Sequence, residues 1–311
     1  MQPARIIFPS FWFGQSDIAQ AEVWARRGVG GFCVYGGSAK QTLDFTRRMN
    51  EASPYGQLLF CADIKEQLSE VVLDAPTLMN NRDLAATNDP DAAYRKGNLL
   101  GRMARAVGIN WVLGPIVDLG YKSPCLSDEP DVVTQLAVDS IAGISNVGVL
   151  SCIKHFPGVS GVLKTLNQLE EAEIIPYQHL FRRADAIMPS DMIFPNLDED
   201  AQAMMSPKII TQLLRKRLNY KGCVVGFPMA SARLRNTASG ATGMLRAGVE
   251  ILLAPKEPQE ALEAVTREAQ TAAGFELMTH SISNQEMFLS KVAAGPEPED
   301  IKTVFEIARK A

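Results

Sequence analysis

The sequence predicts an α/β barrel, in which eight parallel strands alternate with helices. Short β-rich runs alternate with longer helical patterns over the 311 residues, and the count of runs is eight. The runs are apolar on both faces, as are the strands of a fully covered parallel sheet. A doubly wound open sheet is the competing architecture, but the chain has no glycine-rich phosphate loop after its early strands. We therefore expect one barrel domain spanning residues 1–311.

Each predicted strand is a short run rich in Val, Ile, Phe, Cys and Leu, bounded by turn residues or charged residues. The runs are Arg5–Phe8, Gly31–Tyr35, Leu58–Asp63, Trp111–Pro115, Val149–His155, Ala186–Pro189, Cys223–Phe227 and Ile251–Ala254. Their short, continuous apolar character favours burial on both sides rather than a half-exposed sheet.

Helical periodicity fills the intervals between these runs. The predicted helices are Ile18–Arg27, Lys40–Met49, Asp91–Val107, Val132–Gly143, Leu166–Phe181, Pro207–Leu218, Ala241–Ala247, Glu257–Ala273 and Ser283–Ala294, and a closing segment, Ile301–Arg309, follows them. Two of the predicted helices begin with a specific sequence signal. Thr165 with Gln168 forms a capping-box pattern, and Pro207 after Ser206 places proline at a first helical position.

Composition and charge exclude several classes of function. The hydrophobic content of 46% and charged content of 21% are typical of a globular protein with a large core. The net charge of −4 argues against a nucleic-acid partner, which would favour clustered Lys and Arg. Basic pairs such as Arg182-Arg183 and Lys216-Arg217 are interpreted as solvated helix faces. No apolar stretch approaches the ~20 residues that cross a bilayer, so no membrane partner is expected.

The cysteines and the N-terminal residues favour a cytoplasmic location. Four cysteines lie inside apolar runs, and their spacing matches no zinc or redox motif; they are Cys33, Cys61, Cys152 and Cys223. Buried thiols of this kind are typical of a reducing compartment. The first residues lead directly into a predicted strand without a secretory apolar region.

Polar residues follow several of the predicted strands. In a barrel the carboxyl ends of the strands meet at one face, where active sites lie. In chain order the strand ends carry Tyr35, Asp63, Asp118, Lys154, His155, Asp191, Phe227 and Ala254. The polar members could converge on a small polyol, while the alternative for each is an ordinary cap or turn residue.

A series of segments in order along the chain resembles one enzyme family. The segments are Gly28–Phe32, Ala62-Asp63, Gly108–Asp118, Ile153–Gly158 (similar to "KHFPG"), Ala186–Met188, Phe194-Pro195, Ser206–Leu214, Tyr220–Gly222 and Ala247–Glu250. In this order they resemble family 3 glycoside hydrolases, and among these the single-domain β-N-acetylglucosaminidases of bacterial cell-wall recycling. The resemblance covers almost the whole chain and implies a barrel that acts on N-acetylglucosamine-type sugars.

The departures from the family pattern fall on its catalytic parts. The family nucleophile is an aspartate in a turn that ends strand seven, where this chain has Gly226-Phe227-Pro228. The acid/base dyad of the cell-wall enzymes lies on a loop after the KHFPG motif. Here only Val159 to Lys164 separate that motif from the next predicted helix, without an aspartate or a histidine.

Part of the family's sugar-binding set is also replaced. Lys65-Glu66-Gln67-Leu68 follows Asp63 in place of "EGGR", and Pro124 stands for an arginine whose charge Lys122 could supply. Asp191 occupies the position of a family histidine. The resemblance therefore implies a sugar-binding set of Asp63, Asp118, Lys154, His155, Asp191 and Lys122.

Two functions remain open from the sequence. The first is a catalytically degenerate glycosidase that binds an N-acetylglucosamine-type sugar or a protein partner. The second is an active glycosidase with relocated carboxylates, for which Asp191 and Asp63 are the candidates. Less favoured are an imine on Lys154 and a purely structural role. No cofactor is expected, and His155, His179 and His280 lie too far apart in sequence to suggest a metal site.

Overall fold

Short parallel strands form the centre of the structure, a computed structural model that describes residues 2–87, 89, 91–122 and 124–311. The strands are β1 (Ile7–Phe8), β2 (Ser10–Trp12), β3 (Gly31–Tyr35), β4 (Leu59–Ala62), β5 (Trp111–Val112), β6 (Leu150–Phe156), β7 (Ala186–Pro189), β8 (Ile193–Phe194), β9 (Asp198–Gln202), β10 (Cys223–Val224) and β11 (Leu252–Leu253). All eight predicted runs contribute a strand. The antiparallel pair of β8 and β9 lies outside the central sheet and was not predicted.

The parallel strands form one seven-stranded sheet and one two-stranded sheet. The order in the first is β10-β7-β6-β5-β4-β3-β2, and β1 pairs with β11 in the second. A single parallel bridge between Val225 and Ile251 links the two on one side. On the other side Pro9, which has no N–H to donate, separates β1 from β2, and its carbonyl accepts from the Cys33 N–H at 2.9 Å. The predicted α/β barrel is thus confirmed, with its ladder interrupted at these two places.

The helices alternate with the strands as predicted. They are α1 (Ile18–Arg26), α2 (Ala39–Ala52), α3 (Asn81–Ala86), α4 (Ala92–Ala106), α5 (Pro130–Asn146), α6 (Leu166–Glu170), α7 (Ile174–Leu180), a π-helix (Lys208–Arg217), α8 (Thr237–Ala247), α9 (Pro258–Glu268), α10 (Ala272–Ala293) and α11 (Ile301–Ala308). The capping box of Thr165 and Gln168 is present at the start of α6. Among the described residues no helix combines the length and the apolar character needed to cross a bilayer.

Two predicted elements differ from the structure for identifiable reasons. Residues Pro3–Ile6 form a 3₁₀ turn, so the first strand begins later and continues past Pro9 to Trp12. The predicted helix Leu166–Phe181 is split into α6 and α7. Pro176 has no N–H to donate to the carbonyl four residues back. Because a new helix begins at Ile174, Pro176 lies in its first turn, where no such hydrogen bond is required.

Side chains fill the interior of the barrel. Trp111 lies at the centre, with ring centroids 6.1 Å from Phe8 and 5.3 Å from Phe288. Phe288 comes from α10, which packs against the amino-terminal end of the barrel, and it is buried. Because this core is filled, a ligand can approach the sheet only at its ends.

Candidate functional site

The carboxyl ends of the parallel strands meet at one face, which we call the mouth. β2 ends at Trp12, β3 at Tyr35 and β4 next to Asp63, while His155 lies near the end of β6. Phe227 follows β10. Five strands therefore present one aromatic or polar side chain each at the mouth.

Lys154 and Asp63 form a close ion pair at the mouth. Lys154 Nζ lies 2.6 Å from Asp63 Oδ1 and donates a second hydrogen bond to the carbonyl of Ile64 at 3.3 Å. The Lys154 side chain is only 1% exposed, whereas that of Asp63 is 29% exposed. Burial by itself raises the pKa of Asp63, but the Lys154 ammonium outweighs it and holds that pKa below its usual value. Asp63 is therefore ionised and partly open to solvent.

Asp118 and His155 form the second pair. Asp118 Oδ2 lies 2.7 Å from His155 Nδ1, and Oδ1 accepts from the backbone N–H groups of His155 and Val159. The Asp118 side chain is buried, while the His155 ring is partly exposed. Since Nδ1 is held by the carboxylate, the other ring nitrogen is directed elsewhere and is free to meet a hydroxyl group. Lys154 therefore pairs with Asp63, and His155 pairs with Asp118.

Phe227 lies against His155 at the mouth. The two ring centroids are 5.7 Å apart with an interplanar angle of 50°. Phe227 is half-buried and packs against both the barrel interior and the layer between sheet and helices. After Phe227 the chain continues beside β11, where the Met229 N–H donates to the Leu253 carbonyl at 2.9 Å. An apolar ring thus occupies the surface that follows β10.

The loop after β6 is short and tied down at both ends. At its start, Asp118 accepts from the Val159 N–H at 3.1 Å. At its end, Glu173 Oε1 accepts from Ser160 Oγ at 3.2 Å and from Lys164 Nζ at 2.7 Å. The Glu173 side chain is 2% exposed. Sequence reasoning missed Glu173, because a single glutamate inside a helical pattern carries no signal that it is buried.

An aromatic pair at the mouth was also missed. The rings of Trp12 and Tyr35 are stacked, 4.2 Å apart and 10° from parallel. Tyr35 is largely buried, and burial raises the pKa of its hydroxyl, with further contributions from nearby groups that include Asp63. Trp12 remains 40% exposed, so part of its ring faces solvent. The available signal was the aromatic run Phe11–Phe13, but the predicted first strand ended at Phe8.

Two predicted site residues stay apart from this network. Asp191, after β7, is half-buried, and Lys122 is exposed on the loop after Asp118. Neither side chain makes a hydrogen bond or an ion pair within the part of the chain that the structure describes. The structure therefore brings Asp63, Lys154, Asp118, His155 and Phe227 together and leaves Asp191 and Lys122 unconnected to them.

The arrangement suits the binding of a polyol better than acid–base chemistry. Asp63 is held by Lys154, and Asp118 is held by the His155 ring and two backbone N–H groups, so each carboxylate of the network is fixed by hydrogen bonds. Such groups act as rigid acceptors and donors for hydroxyl groups. Trp12 adds an exposed flat apolar ring, which can stack on the face of a sugar.

Comparison with known proteins identifies the family of the fold. Residues 10–283 match the model of the glycosyl hydrolase family 3 N-terminal domain. A β-hexosaminidase of Stenotrophomonas maltophilia (strain K279a) is 29% identical, with 76% of this chain and 79% of the relative covered. A β-hexosaminidase of Xylella fastidiosa (strain M23) is 28% identical, with 67% of this chain and 70% of the relative covered.

Solved structures show the same fold. A family 3 β-N-acetylglucosaminidase from Paenibacillus sp. str. FPU-7 superposes with a TM-score of 0.83 at 21% identity, over 99% of this chain and 67% of that one. The β-N-acetylglucosaminidase from Thermotoga maritima gives a TM-score of 0.81 at 21% identity, over 99% and 71%. The match to the family model spans most of the sequence, and the chain therefore belongs to glycosyl hydrolase family 3 as an N-terminal barrel domain.

Proposed function

We propose that this chain is a catalytically inactive family 3 barrel that binds an N-acetylglucosamine-type sugar at its mouth. The observation that carries the proposal is the contact between Phe227 and His155, at the position where the family pattern has its nucleophile. A phenyl ring has no lone pair with which to attack an anomeric carbon. We further propose that residues 1–311 act as one domain.

The second catalytic group is missing as well. Retaining glycosidases need a nucleophile and an acid/base about 5 Å apart across the glycosidic bond. The short loop after β6 is held by Asp118 and Glu173, so it cannot extend over the mouth. Loss of one member of such a cooperative unit costs on the order of 10⁴ to 10⁶ in rate. Loss of both leaves no useful hydrolysis.

The sugar-binding part of the proposal rests on polar groups that remain. Asp63, Lys154, Asp118 and His155 form two fixed pairs beside a partly exposed tryptophan. The β-hexosaminidase names of the relatives suggest an N-acetylhexosamine as the ligand. Sugar hydroxyls would replace water on Asp63 and His155, while Trp12 would cover one apolar face of the ring.

The same geometry weighs against the other chemistries. The nearby ammonium keeps Asp63 ionised, so it cannot act as a general acid. Lys154 Nζ already donates hydrogen bonds to the Asp63 carboxylate and the Ile64 carbonyl, so these contacts would have to break before it could attack a carbonyl substrate.

The test combines calorimetric titration with an activity assay on the same sample. N-acetylglucosamine and chitobiose are the titrants, and an aryl N-acetyl-β-glucosaminide is the assay substrate. We expect saturable binding without turnover, weakened at least about tenfold by Asp63→Asn or Trp12→Ala. Phe275→Ala, which removes an exposed aromatic ring on α10, is the control and should bind as the parent does.

Two other outcomes would each overturn one part of the proposal. Turnover that Asp63→Asn or Asp191→Asn abolishes would overturn the inactive assignment and favour relocated carboxylates. Absence of both binding and turnover would overturn the sugar-binding part and direct the search to a protein partner.

A further inference from the structure

A second candidate site lies at the opposite end of the barrel, where β7 and β10 begin. There the end of α7 and the turn between the π-helix and β10 enclose a cavity of about 650 Å³. We call it the basic cavity; its lining includes His179, Arg182, Arg183, Asn219, Tyr220 and Lys221. Its volume falls within the range of about 300–1,000 Å³ that small-ligand sites occupy.

The lining of the basic cavity carries charge of one sign. Arg182, Arg183 and Lys221 contribute three positive charges, and no aspartate or glutamate among the described residues lines it. Within the described residues, the side chains of these three cations and of His179 make no hydrogen bond or ion pair. By contrast, the cavity beside α11, also about 650 Å³, mixes arginines with Glu297, Glu299 and Asp300. The positive charge of the basic cavity is a local excess, since the whole chain has a net charge of −4.

The floor of the basic cavity is rigid. Tyr220 is 1% exposed, donates its hydroxyl hydrogen to the Cys223 carbonyl at 3.0 Å and packs on Phe181 with ring centroids 5.0 Å apart. The preceding residue, Asn219, has a left-handed backbone with φ of 58°. Arg215 donates to the Tyr220 carbonyl at 3.2 Å. These contacts fix the turn that carries Lys221 relative to the end of α7, while the side chains of Arg182, Arg183 and Lys221 themselves are exposed.

An alternative role for these cations is to stabilise the C-terminal ends of the adjacent helices. Two helices end at the basic cavity, and each helix C-terminus carries roughly half a negative charge. Together they would offset about one positive charge. Arg182, Arg183 and Lys221 supply three, so a clear positive surplus remains in the cavity.

We propose that the basic cavity binds a small, multiply charged phosphate-bearing ligand. The guanidinium groups of Arg182 and Arg183, which both line the cavity, offer planar pairs of N–H donors that match phosphate oxygens, and Lys221 adds a point charge to the same lining. A concave site on a negatively charged protein favours a small anion over the extended backbone of a nucleic acid. The site is independent of the mouth, and its occupation requires no sugar.

The test is a titration of the full chain with sodium pyrophosphate and tripolyphosphate at low ionic strength, with chloride at matched ionic strength as the blank. We expect saturable binding by the parent. Arg182→Gln with Arg183→Gln should weaken it at least about tenfold, and Lys221→Gln should weaken it independently. The matched control is Arg309→Gln with Lys310→Gln, which removes two exposed charges near the C-terminal end.

Three results would overturn the proposal. The first is no saturable binding of either probe by the parent. The second is equal weakening in the control, which would mean general charge attraction. The third is tighter binding of a single-stranded oligonucleotide than of tripolyphosphate. Urea unfolding without ligand separates the structural role, because cations that serve only the helix ends would alter stability and leave binding unchanged.

Discussion

At the residue scale, the mouth combines retained polar pairs with one decisive substitution. Asp63 with Lys154 and Asp118 with His155 make two charge-assisted contacts of 2.6 and 2.7 Å. Phe227 lies on the His155 ring, where it extends the apolar surface of the mouth. The residues that we propose to hold a sugar are therefore distinct from position 227, where the family pattern has its nucleophile.

A carboxylate introduced at position 227 should restore only the first step of the reaction, in which the nucleophile attacks the sugar and the leaving group departs. We expect Phe227→Asp to release dinitrophenol from 2,4-dinitrophenyl N-acetyl-β-glucosaminide in a burst stoichiometric with protein. This leaving group departs without a proton from a general acid, so only the nucleophile is needed for the first step. Stopped-flow absorbance measures the burst, and mass spectrometry measures the covalent adduct.

The matched control is Phe227→Asn, which has nearly the same shape and no nucleophilic carboxylate. It should give neither burst nor adduct. A burst from the parent chain or from Phe227→Asn would show that another residue attacks the sugar.

At the scale of elements, Glu173 joins the short loop after β6 to the start of α7. It accepts from Ser160 and Lys164 while buried beneath the loop, next to Gly158 and Gly161. A Cβ added to Gly158 would lie 2.6 Å from the Glu173 Cβ, so the loop and the helix are in close contact there. The loop is consequently part of the packed structure rather than a lid.

Removal of this glutamate should loosen the loop selectively. We expect Glu173→Ala to lower the free energy of unfolding by about 2 kcal/mol, because Lys164 and Ser160 lose their acceptor. Amide hydrogen exchange of residues 159–164 should become faster than in the parent. Glu171→Ala, an exposed glutamate two residues away, should change the free energy by less than about 0.5 kcal/mol. Unchanged exchange in Glu173→Ala would contradict the proposed anchoring.

At the scale of the whole molecule, a buried carboxylate connects the last strand to the helix that packs against the barrel. Glu250 is 1% exposed; it accepts from the Val224 N–H at 2.8 Å and from His280 on α10, and Arg215 lies 3.4 Å away. The hydrogen bond to Glu250 raises the pKa of His280, although burial and Arg215 act in the opposite direction and Glu276 adds to the rise. This cluster lies at the amino-terminal end of the strands, where residues serve stability.

The raised pKa makes global stability depend on pH. A group whose pKa is higher in the folded state binds more protons there, so its contribution is full below the unfolded value of about 6.5. That contribution is lost as pH rises through the folded value. We expect the free energy of unfolding in urea to fall as the pH rises above about 6.5, and His280→Gln to remove this part of the fall. A parallel decline in parent and variant would assign it to other groups.

Much of the fold was predictable because its signal is local. Alternation of β-rich and helical runs is a property of neighbouring residues, and all eight predicted runs contribute a parallel strand. The residues at which strands and helices begin and end were less predictable. Pro9 divides the first strand and Pro176 divides a predicted helix, and both effects depend on which N–H the surrounding structure requires.

The candidate site was predictable as a set of strand ends and not as a set of contacts. Parallel strands bring Asp63, Asp118, Lys154 and His155 to one face, which the order of residues along the chain determines by itself. Which cation meets which carboxylate depends on strand register, and only the tertiary structure decided that Lys154 pairs with Asp63.

The same reason applies to Trp12, Glu173 and the basic cavity, whose partners lie on other elements. The sequence by itself determined the barrel architecture and the presence of a phenylalanine at the end of the seventh predicted strand. The exposure, charge pairing and enclosure of side chains depend on packing between distant segments, and these only the tertiary structure decided.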